Sequence, residues 1–239
     1  MKNRLDKELV DRGLVPSRAK AQELIKAKYV VCDGKVIDKN NYMVSKDTDI
    51  VIKSNDKLKY VSRGGLKLEK AIEVFKIDFN GLTVMDIGSS TGGFTDCSLK
   101  HGAKKVIAID VGTNLLHESL RNDPRIELYE QTNFKELTRD FFNNIDIFVC
   151  DVSFISLKHI ITKLVEQNIK IDIICLIKPQ FECGRDIATK YKGVILNKNV
   201  HLDIVHDLNR FFNSKGLKML GLTISPIQGG DGNIEYLTY

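Results

Sequence analysis

Residues 86–96 read DIGSSTGGFTD and continue directly from the apolar run LTVM at 82–85. The stretch places three glycines and four hydroxyl side chains between two aspartates. A glycine-rich turn between a buried strand and a helix is where open α/β sheets bind their ligands. The glycine spacing is neither G-x-G-x-x-G nor the phosphate loop that ends in Gly-Lys-Ser/Thr. A pyrophosphate cradle is therefore disfavoured, while another small cofactor or a plain tight turn remains open.

Strand and helix patterns alternate on both sides of this turn. Short β-type apolar runs predict strands, and amphipathic stretches between them predict helices. Such alternation is typical of an α/β fold with a mostly parallel sheet and helices on both faces. The predicted strands cover 82–87, 104–111, 125–131, 145–153, 171–180, 217–227 and 232–239, and the predicted helices cover 66–75, 92–102, 114–121, 154–167 and 198–216.

The second predicted strand ends in Asp110, about 20 residues beyond the glycine turn. A carboxylate at that place can accept both ribose hydroxyls of an adenosine. Nicotinamide-dependent dehydrogenases and S-adenosylmethionine-dependent methyltransferases share this arrangement. The methyltransferases need no pyrophosphate cradle, so their loop requires only a close approach of the backbone to the methionine part of the cofactor. The glycine spacing thus favours a methyltransferase over a dehydrogenase.

Residues 1–57 form a smaller mixed unit. Two amphipathic helical stretches come first, with Ser17 as the predicted N-cap of the second. Asp33-Gly34 then lies between two β-type runs, which predicts a two-residue hairpin turn. A further strand is predicted at 47–53. The order is helix, helix, hairpin, strand.

Positive charge is concentrated near the N-terminus. The chain carries a net charge of +5, but residues 1–70 contribute +7 and the remainder −2. Such an excess is typical of a module that binds a polyanion, although a solvated lysine-rich surface gives the same count. No run of 18 apolar residues and no signal sequence is present, so a cytoplasmic protein without a membrane segment is expected. The five scattered cysteines predict reduced thiols rather than a metal site.

Four charged residues fall near strand ends or beside the first strand. Asp151 ends the predicted fourth strand and Lys178 the fifth, Glu235 lies in the last strand, and Lys67 begins the helix before the first. A single lysine at such a place often extends to solvent from the edge of a sheet. Four charged groups directed to one edge predict a reactive site.

The N-terminal unit resembles the alpha-L RNA-binding module of ribosomal proteins. The resemblance rests on RLD at 4–6, SRAKAQELIKAKYV at 17–30 and VCDG at 31–34. It implies that the second helix and the hairpin lie on structured RNA, with little choice of base sequence. The phosphate contacts implied are Arg4, Arg18, Lys20, Lys26 and Lys28.

The whole chain resembles the TlyA family of ribosomal RNA 2′-O-methyltransferases, which is related to the FtsJ ribose methyltransferases. The matching motifs are YVSRGGLKL, DIGSSTGGFTD, IDVG, DVSFISL, KPQFE and GNIEY, in that order. The resemblance implies an alpha-L domain at 1–57, a linker at 58–65 and a Rossmann-like methyltransferase domain at 66–239. It also implies a catalytic Lys-Asp-Lys-Glu tetrad of Lys67, Asp151, Lys178 and Glu235.

The family's cofactor is S-adenosylmethionine. The residues expected to bind it are Asp86, Gly88, Ser89, Ser90, Thr91, Gly92, Gly93, Phe94, Asp110, Asn133 and Asp151. Ser89 stands where the family usually has alanine. Arg63 of the connector joins the expected RNA contacts, and no metal is required. The last predicted strand ends the chain at Tyr239, as in the shorter members, so a cytidine of large-subunit RNA is the expected target.

Methyl transfer to a ribose requires a protein group that contacts the 2′-hydroxyl of the RNA. Lys178 is the candidate, either as a neutral amine that removes the proton or as an ammonium that stabilises the developing alkoxide. Asp151 and Glu235 are expected to orient the two lysines. The rival readings are a non-catalytic RNA-binding assembly factor, a membrane-active hemolysin and a nicotinamide-dependent dehydrogenase. The sequence sets no oligomeric state.

Overall fold

The computed structural model describes residues 2–26, 28–52, 59–229 and 232–239. The chain divides into two compact units, Met1–Asp56 and Lys57–Tyr239. The predicted boundary between the first domain and the linker, at residues 57 and 58, lies outside the described residues. The three-part division at 57 and 65 therefore stays a prediction.

The first unit contains the predicted helices, hairpin and strand. Ser17 Oγ accepts the Lys20 N–H at 3.3 Å, as an N-cap does. Asp33 and Gly34 have φ values of 46° and 78°, which form the left-handed tip of the hairpin. The elements described are β1 (Lys2–Arg4), α1 (Leu5–Asp11), α2 (Arg18–Lys26), β2 (Val30–Cys32), β3 (Lys35–Ile37), β4 (Met43–Ser45) and β5 (Ile50–Ile52).

The core of this unit lies between the two helices and the strands. Its fully buried members include Leu5, Leu9, Ala21, Leu24 and Ile25, which recur at helical spacing along α1 and α2. β3, β2 and β5 form one antiparallel sheet, and β1 pairs with β4 separately. Nothing in the sequence predicted β1 or β4, because strands of three residues are too short to show an alternating pattern.

The second unit is an α/β domain. Its strands are β6 (Thr83–Ile87), β7 (Lys105–Ile109), β8 (Ile126–Tyr129), β9 (Ile147–Cys150), β10 (Asp172–Ile177), β11 (Leu222–Ile224) and β12 (Tyr236–Thr238). The helices described are α3 (Gly64–Phe75), α4 (Gly93–Lys100), α5 (Glu118–Arg121), α6 (Leu157–Glu166), α7 (Pro179–Glu182), α8 (Arg185–Lys190) and α9 (Lys198–Ser214).

The seven strands described for this unit form one mixed sheet in the order β11-β12-β10-β9-β6-β7-β8. The five strands β10, β9, β6, β7 and β8 are parallel to one another. Strand β12 runs antiparallel to both of its neighbours, β10 and β11. The chain passes outward from β6 to β8 and then returns to place β9 on the other side of β6. The loops after β6 and β9 consequently separate, which opens a crevice at the carboxyl ends of the strands.

Alternate residues of the strands supply the two hydrophobic layers. On one face Met85, Ile107 and Phe148 pack with residues of α6 and α9. On the other face Val84 and Val149 pack with residues of α3 and α4. The period-two alternation buries both sides of the sheet, as a parallel α/β sheet requires.

Several predicted elements differ from the structure. The helix expected at 114–121 is confined to Glu118–Arg121, because Asn114 has a left-handed φ of 60° and His117 caps the short helix. Glu235 precedes the last strand instead of lying in it. Lys178 follows β10, because Pro179 has no N–H for the strand ladder and begins α7 instead.

Helix α3 begins at Gly64, two residues before the predicted start. Glycine is a poor helix former, so the pattern placed the start after the glycine pair. The first residues of α3 lie against Gly93 at the start of α4. A Cβ atom on Gly93 would lie 2.8 Å from Gly65 N and 3.1 Å from Gly64 Cα. Glycine at position 93 therefore permits close backbone contact between the two helices.

Within the described ranges, no helix combines the length and hydrophobicity needed to span a bilayer. All five cysteines are free thiols, and Cys32, Cys97, Cys150 and Cys175 are buried. Nor do three His, Cys, Asp or Glu side chains come together as a metal site in the part of the chain that the structure describes.

Substitution of the two neighbouring glycines of α3 is expected to have opposite effects on stability. A Cβ on Gly65 would lie 2.5 Å from Cβ and Cδ2 of the buried Tyr60. Gly65→Ala should therefore lower the free energy of unfolding by about 1–3 kcal/mol. Gly64→Ala meets its nearest atom at 3.4 Å and should leave that energy unchanged or raise it by less than about 1 kcal/mol. Urea denaturation of the ligand-free protein checks this, and equal losses in both variants would contradict it.

Candidate active site

Two adjoining cavities occupy the crevice at the carboxyl ends of the parallel strands. Their volumes are about 700 Å³ and 470 Å³. Gly88, Ser90, Asp151, Ser153 and Phe154 line both, so the loops after β6 and β9 form the wall between them. We call the larger one the tetrad cavity, because the predicted tetrad lines it, and the smaller one the Asp110 cavity.

The glycine turn is the part of the wall where the backbone comes closest. Gly88 has a φ of 80°, and a Cβ there would lie 3.0 Å from the carbonyl oxygen of Asp151. The N–H groups of Gly88 and Ser89 donate to the Ile109 carbonyl at 2.9 and 3.1 Å. The turn is thus fixed to the neighbouring strand. Glycine at position 88 leaves a space, the cradle at Gly88, which the side chain of any other residue would fill.

Most of the residues predicted to bind the cofactor line one of the two cavities. Asp86 and Gly92 do not: Asp86 is fully buried, and Gly92 leaves room for the side chains of Leu116 and Leu120. The tetrad cavity is lined by Gly88, Ser89, Ser90, Thr91, Gly93, Phe94 and Asp151, and the Asp110 cavity by Gly88, Ser90, Asp110, Asn133 and Asp151.

Asp86 is a fully buried carboxyl group on β6. Thr95 Oγ1 donates to its Oδ2 at 2.6 Å, whereas Oδ1 has no hydrogen-bond partner among the described residues. Burial raises the pKa of Asp86 to about 7, against the effect of the Thr95 hydrogen bond. Ser89 Oγ is buried and also lacks a described partner. Two polar atoms of this segment, Asp86 Oδ1 and Ser89 Oγ, are therefore available for further hydrogen bonds, and Ser89 lines the tetrad cavity.

Asp110 fixes the far side of the glycine turn. Its Oδ2 accepts the Ser90 N–H at 2.8 Å and its Oδ1 the Gly112 N–H at 2.7 Å. Asn133 lines the same cavity, and its Oδ1 accepts the Lys135 N–H at 3.1 Å. Asp110 thus joins the loops after β6 and β7, and it lines the Asp110 cavity between them and the loop after β9.

The structure brings all four tetrad side chains together. Lys67 Nζ lies 2.8 Å from Glu235 Oε2 and 3.3 Å from Asp151 Oδ2. Lys178 Nζ lies 2.6 Å from Asp151 Oδ1 and donates to Ser153 Oγ at 2.9 Å. The charges alternate along a chain from Glu235 through Lys67 and Asp151 to Lys178.

Three of these charges are buried, and the fourth, Asp151, is partly exposed. Lys67 and Lys178 are each 8% exposed, and Glu235 is 2% exposed. Such burial is tolerated because two ammonium groups face two carboxylates and their formal charges cancel. The loop before β12 leaves room for this arrangement, since a Cβ on Gly229 would lie 2.7 Å from Glu235 Cδ.

Sequence reasoning missed several residues of the site. Ser153 contacts Lys178, and Gly229 accommodates Glu235. Phe154 is 91% exposed with a left-handed φ of 64°, and its ring centroid lies 5.0 Å from that of Phe181. Ser153 and Phe154 follow a strand end inside a motif whose predicted site residue was the charged Asp151. An aromatic residue three positions after a strand-end aspartate was the available signal for Phe154.

The predicted RNA contacts of the first unit differ in their surroundings. Arg4 and Arg18 each lie 3.0 Å from the carboxylate of buried Asp6, and hydrogen bonding, chiefly from Arg4, holds the pKa of Asp6 well below its usual range. Lys20 pairs with Glu23 at 3.2 Å. Lys26 and Lys28 are exposed, whereas Arg63 belongs to the second unit and lines its tetrad cavity. The sequence did not indicate that Asp6 pairs with both arginines.

The sheet order, the glycine turn and a strand-end aspartate beside it define a Rossmann-like methyltransferase. Residues 60–239 match the family described as FtsJ-like methyltransferase, and residues 3–50 match the S4 domain. The chain belongs to the TlyA family of FtsJ-like methyltransferases, and this membership excludes the dehydrogenase reading.

Three comparisons illustrate the membership. The chain is 45% identical to YqxC of Bacillus subtilis, a candidate rRNA methyltransferase, over all of this chain and 85% of that protein. It is 40% identical to the 16S/23S rRNA (cytidine-2′-O)-methyltransferase TlyA of Mycobacterium tuberculosis, over 99% of this chain and 88% of the relative. A solved structure of a candidate hemolysin from Streptococcus thermophilus has 40% identity and a TM-score of 0.75, covering 99% and 87% of the two chains.

Asp86 is expected to make stability depend on pH. Its pKa is raised when the protein folds, so its contribution is greatest below about pH 4 and is lost as the pH rises through about 7. The free energy of unfolding of the wild type minus that of Asp86→Asn should fall over this window, by at most about 1.4 kcal/mol per pH unit. Denaturation of the ligand-free proteins at several pH values measures it.

Asp203→Asn, on an exposed position of α9, serves as the matched control and should show no such trend. A difference between wild type and Asp86→Asn that stays constant from pH 4 to pH 8 would contradict the raised pKa.

Proposed function

We propose that this protein transfers a methyl group from S-adenosylmethionine to the 2′-hydroxyl of a cytidine in ribosomal RNA, in the large subunit. The observation that carries the proposal is the ion-paired Lys-Asp-Lys-Glu chain beside the glycine turn. The name of the mycobacterial relative supports the reaction and the nucleotide. Ribosomal RNA as substrate makes the cytoplasm its place of action.

The shape and chemistry of the two cavities fit S-adenosylmethionine. The cradle at Gly88 and the buried Ser89 hydroxyl suit its methionine part, and Asp110 suits the ribose of its adenosine. Asn133 lines the adenosine side, and Asp151 lies at the junction of the cavities, where a carboxylate attracts a sulfonium. The bound cofactor supplies an already activated methyl group, so the protein's main task is positioning.

Lys178 is the group proposed to meet the acceptor hydroxyl. Its Nζ lines the tetrad cavity, and its position is fixed by Asp151 and Ser153. A neutral amine there removes the hydroxyl proton, and an ammonium there offsets the negative charge on the oxygen. Both roles require the same contact between Nζ and the 2′-oxygen.

Lys67 and Glu235 support this contact from the other side. Glu235 holds the Lys67 ammonium at 2.8 Å, and Lys67 in turn holds Asp151 Oδ2 at 3.3 Å. Each oxygen of Asp151 lies within ion-pair distance of a lysine, which disfavours rotation of the carboxylate away from Lys178. Burial of the chain keeps water from competing for these charges.

The S4 domain is proposed to bring the ribosomal RNA to this site. Lys26 is the last residue of α2, and Lys28 lies two residues beyond it. Both side chains are exposed and can reach phosphates. Arg4 and Arg18 share the buried Asp6, so part of their charge is already balanced within the domain. We therefore assign the larger share of the phosphate attraction to the exposed lysines.

The decisive experiment replaces the hydroxyl-facing lysine. Lys178→Ala should abolish methyl transfer to ribosomal subunits, because the acceptor oxygen loses its partner, while calorimetry should show S-adenosylmethionine binding retained. Tritium transfer from labelled cofactor measures the reaction, and Lys170→Ala, an exposed lysine before β10, is the matched control. Wild-type turnover in Lys178→Ala would refute its role.

The same assay separates the rival functions. A non-catalytic assembly factor would bind RNA but transfer no label in its wild-type form. A membrane-active hemolysin would release dye from liposomes as pure protein, an outcome that the methyltransferase proposal does not predict.

The double variant Lys26→Ala/Lys28→Ala should bind a ribosomal RNA fragment more weakly. Each lost phosphate contact should reduce the slope of log affinity against log salt by about one, so a reduction of about two is expected. Filter binding at several salt concentrations measures it. Lys215→Ala/Lys218→Ala, two exposed lysines of the second unit, is the control, and an unchanged slope in the first variant would contradict the assignment.

A further inference from the structure

The loops after β9 and β10 are fastened to each other at successive points. Lys178 contacts Asp151 and Ser153, and the Phe154 ring lies 5.0 Å from the Phe181 ring. The last of these contacts is made by Glu182, which the tetrad does not include. Since the first loop carries Asp151 and the second carries Lys178, their relative position sets the geometry of the reactive pair.

Glu182 reaches from the second loop to the start of α6. Its Oε1 accepts the Leu157 N–H at 2.8 Å, and its Oε2 accepts the Ser156 O–H at 2.6 Å. Ser156 Oγ also accepts the Lys158 N–H at 3.2 Å and so already acts as the N-cap of the helix. The carboxylate of Glu182 therefore adds a second attachment beyond the cap that α6 needs.

Only one helical turn separates Glu182 from Lys178. Lys178 immediately precedes α7, and Glu182 is the last residue of that helix. The turn is closed by the Phe181 N–H to the Lys178 carbonyl at 2.9 Å and the Cys183 N–H to the Pro179 carbonyl at 3.0 Å. Proline at the first position further restricts the backbone. A displacement of Glu182 is thus transmitted to the backbone of Lys178.

Burying the Glu182 carboxylate costs free energy of desolvation. Capping α6 does not require this cost, because Ser156 already caps the helix. Burial raises the pKa of Glu182, since a carboxylate loses hydration there. A solvated helix start would be satisfied by Ser156 and water. What the carboxylate adds is a fixed distance between the two loops.

We propose that Glu182 is a positioning residue, which holds α7 against the start of α6 and thereby fixes Lys178 relative to Asp151 and Ser153. This inference rests on the proposed function, in which Lys178 meets the acceptor hydroxyl. Glu182 itself touches neither Lys178 nor the cofactor-binding turn, so it acts through the backbone of α7. Its loss should consequently affect the rate of methyl transfer and not the binding of S-adenosylmethionine.

The test compares Glu182→Ala with Glu182→Gln. The alanine variant should lose about 10–100-fold in kcat, as other misplaced reactive groups do, with the cofactor Kd and the RNA KM changed by less than about threefold. The glutamine variant should recover kcat to within about threefold of wild type, because its amide oxygen can accept from Leu157 and its amide nitrogen can donate to Ser156. Glu166→Ala, exposed at the far end of α6, is the matched control and should retain wild-type kcat.

Each outcome decides the matter. A kcat of Glu182→Ala within about twofold of wild type overturns the proposal, and so does a glutamine variant as slow as the alanine variant. If Glu182→Ala fails to fold, Glu182→Asp takes its place, because the shorter side chain cannot accept from both Leu157 N–H and Ser156 O–H unless α7 moves. A kcat lowered at constant cofactor Kd in that variant supports the proposal, and an unchanged kcat refutes it. A wild type without methyl transfer would refute the proposed function instead, which keeps the two failures distinguishable.

Discussion

The Asp151 carboxylate lies between two lysine ammonium groups, at 3.3 Å from Lys67 and 2.6 Å from Lys178. The methyltransferase unit is arranged around this contact. α3 supplies one lysine, the loop after β10 the other, and the loop before β12 supplies the glutamate that balances the charge. A neutral chain of this kind can be buried beside a cofactor pocket, whereas either lysine alone would be expensive to desolvate.

The crevice at the carboxyl ends of the parallel strands results from the order of the strands in the sheet. Local sequence patterns predicted this type of sheet. Alternating strands and helices, a glycine turn after the first strand and Asp110 about twenty residues later indicated the sheet and the place of its ligand. The two N-terminal helices and the Asp33-Gly34 hairpin were predicted correctly for the same reason, since periodicity and turn chemistry are local properties.

Other features depend on contacts between distant parts of the chain, and local patterns did not reveal them. The early start of α3 needs the neighbouring α4, and the short α5 follows from the left-handed Asn114 and the His117 cap. Only the fold shows that Ser153 meets Lys178 and that Asp6 pairs with two arginines. The tetrad was named from family resemblance, and the structure shows that its members meet; their chemical roles remain predictions.

The antiparallel strand β12 has a consequence for the synthesis of the protein. It lies inside the sheet, between β10 and β11, and Glu235 immediately before it is 168 residues from Lys67 along the chain. The charge chain is therefore completed only after Glu235 has been made. Because the S4 domain precedes Glu235 along the chain, that domain can fold during synthesis before the four charged side chains come together.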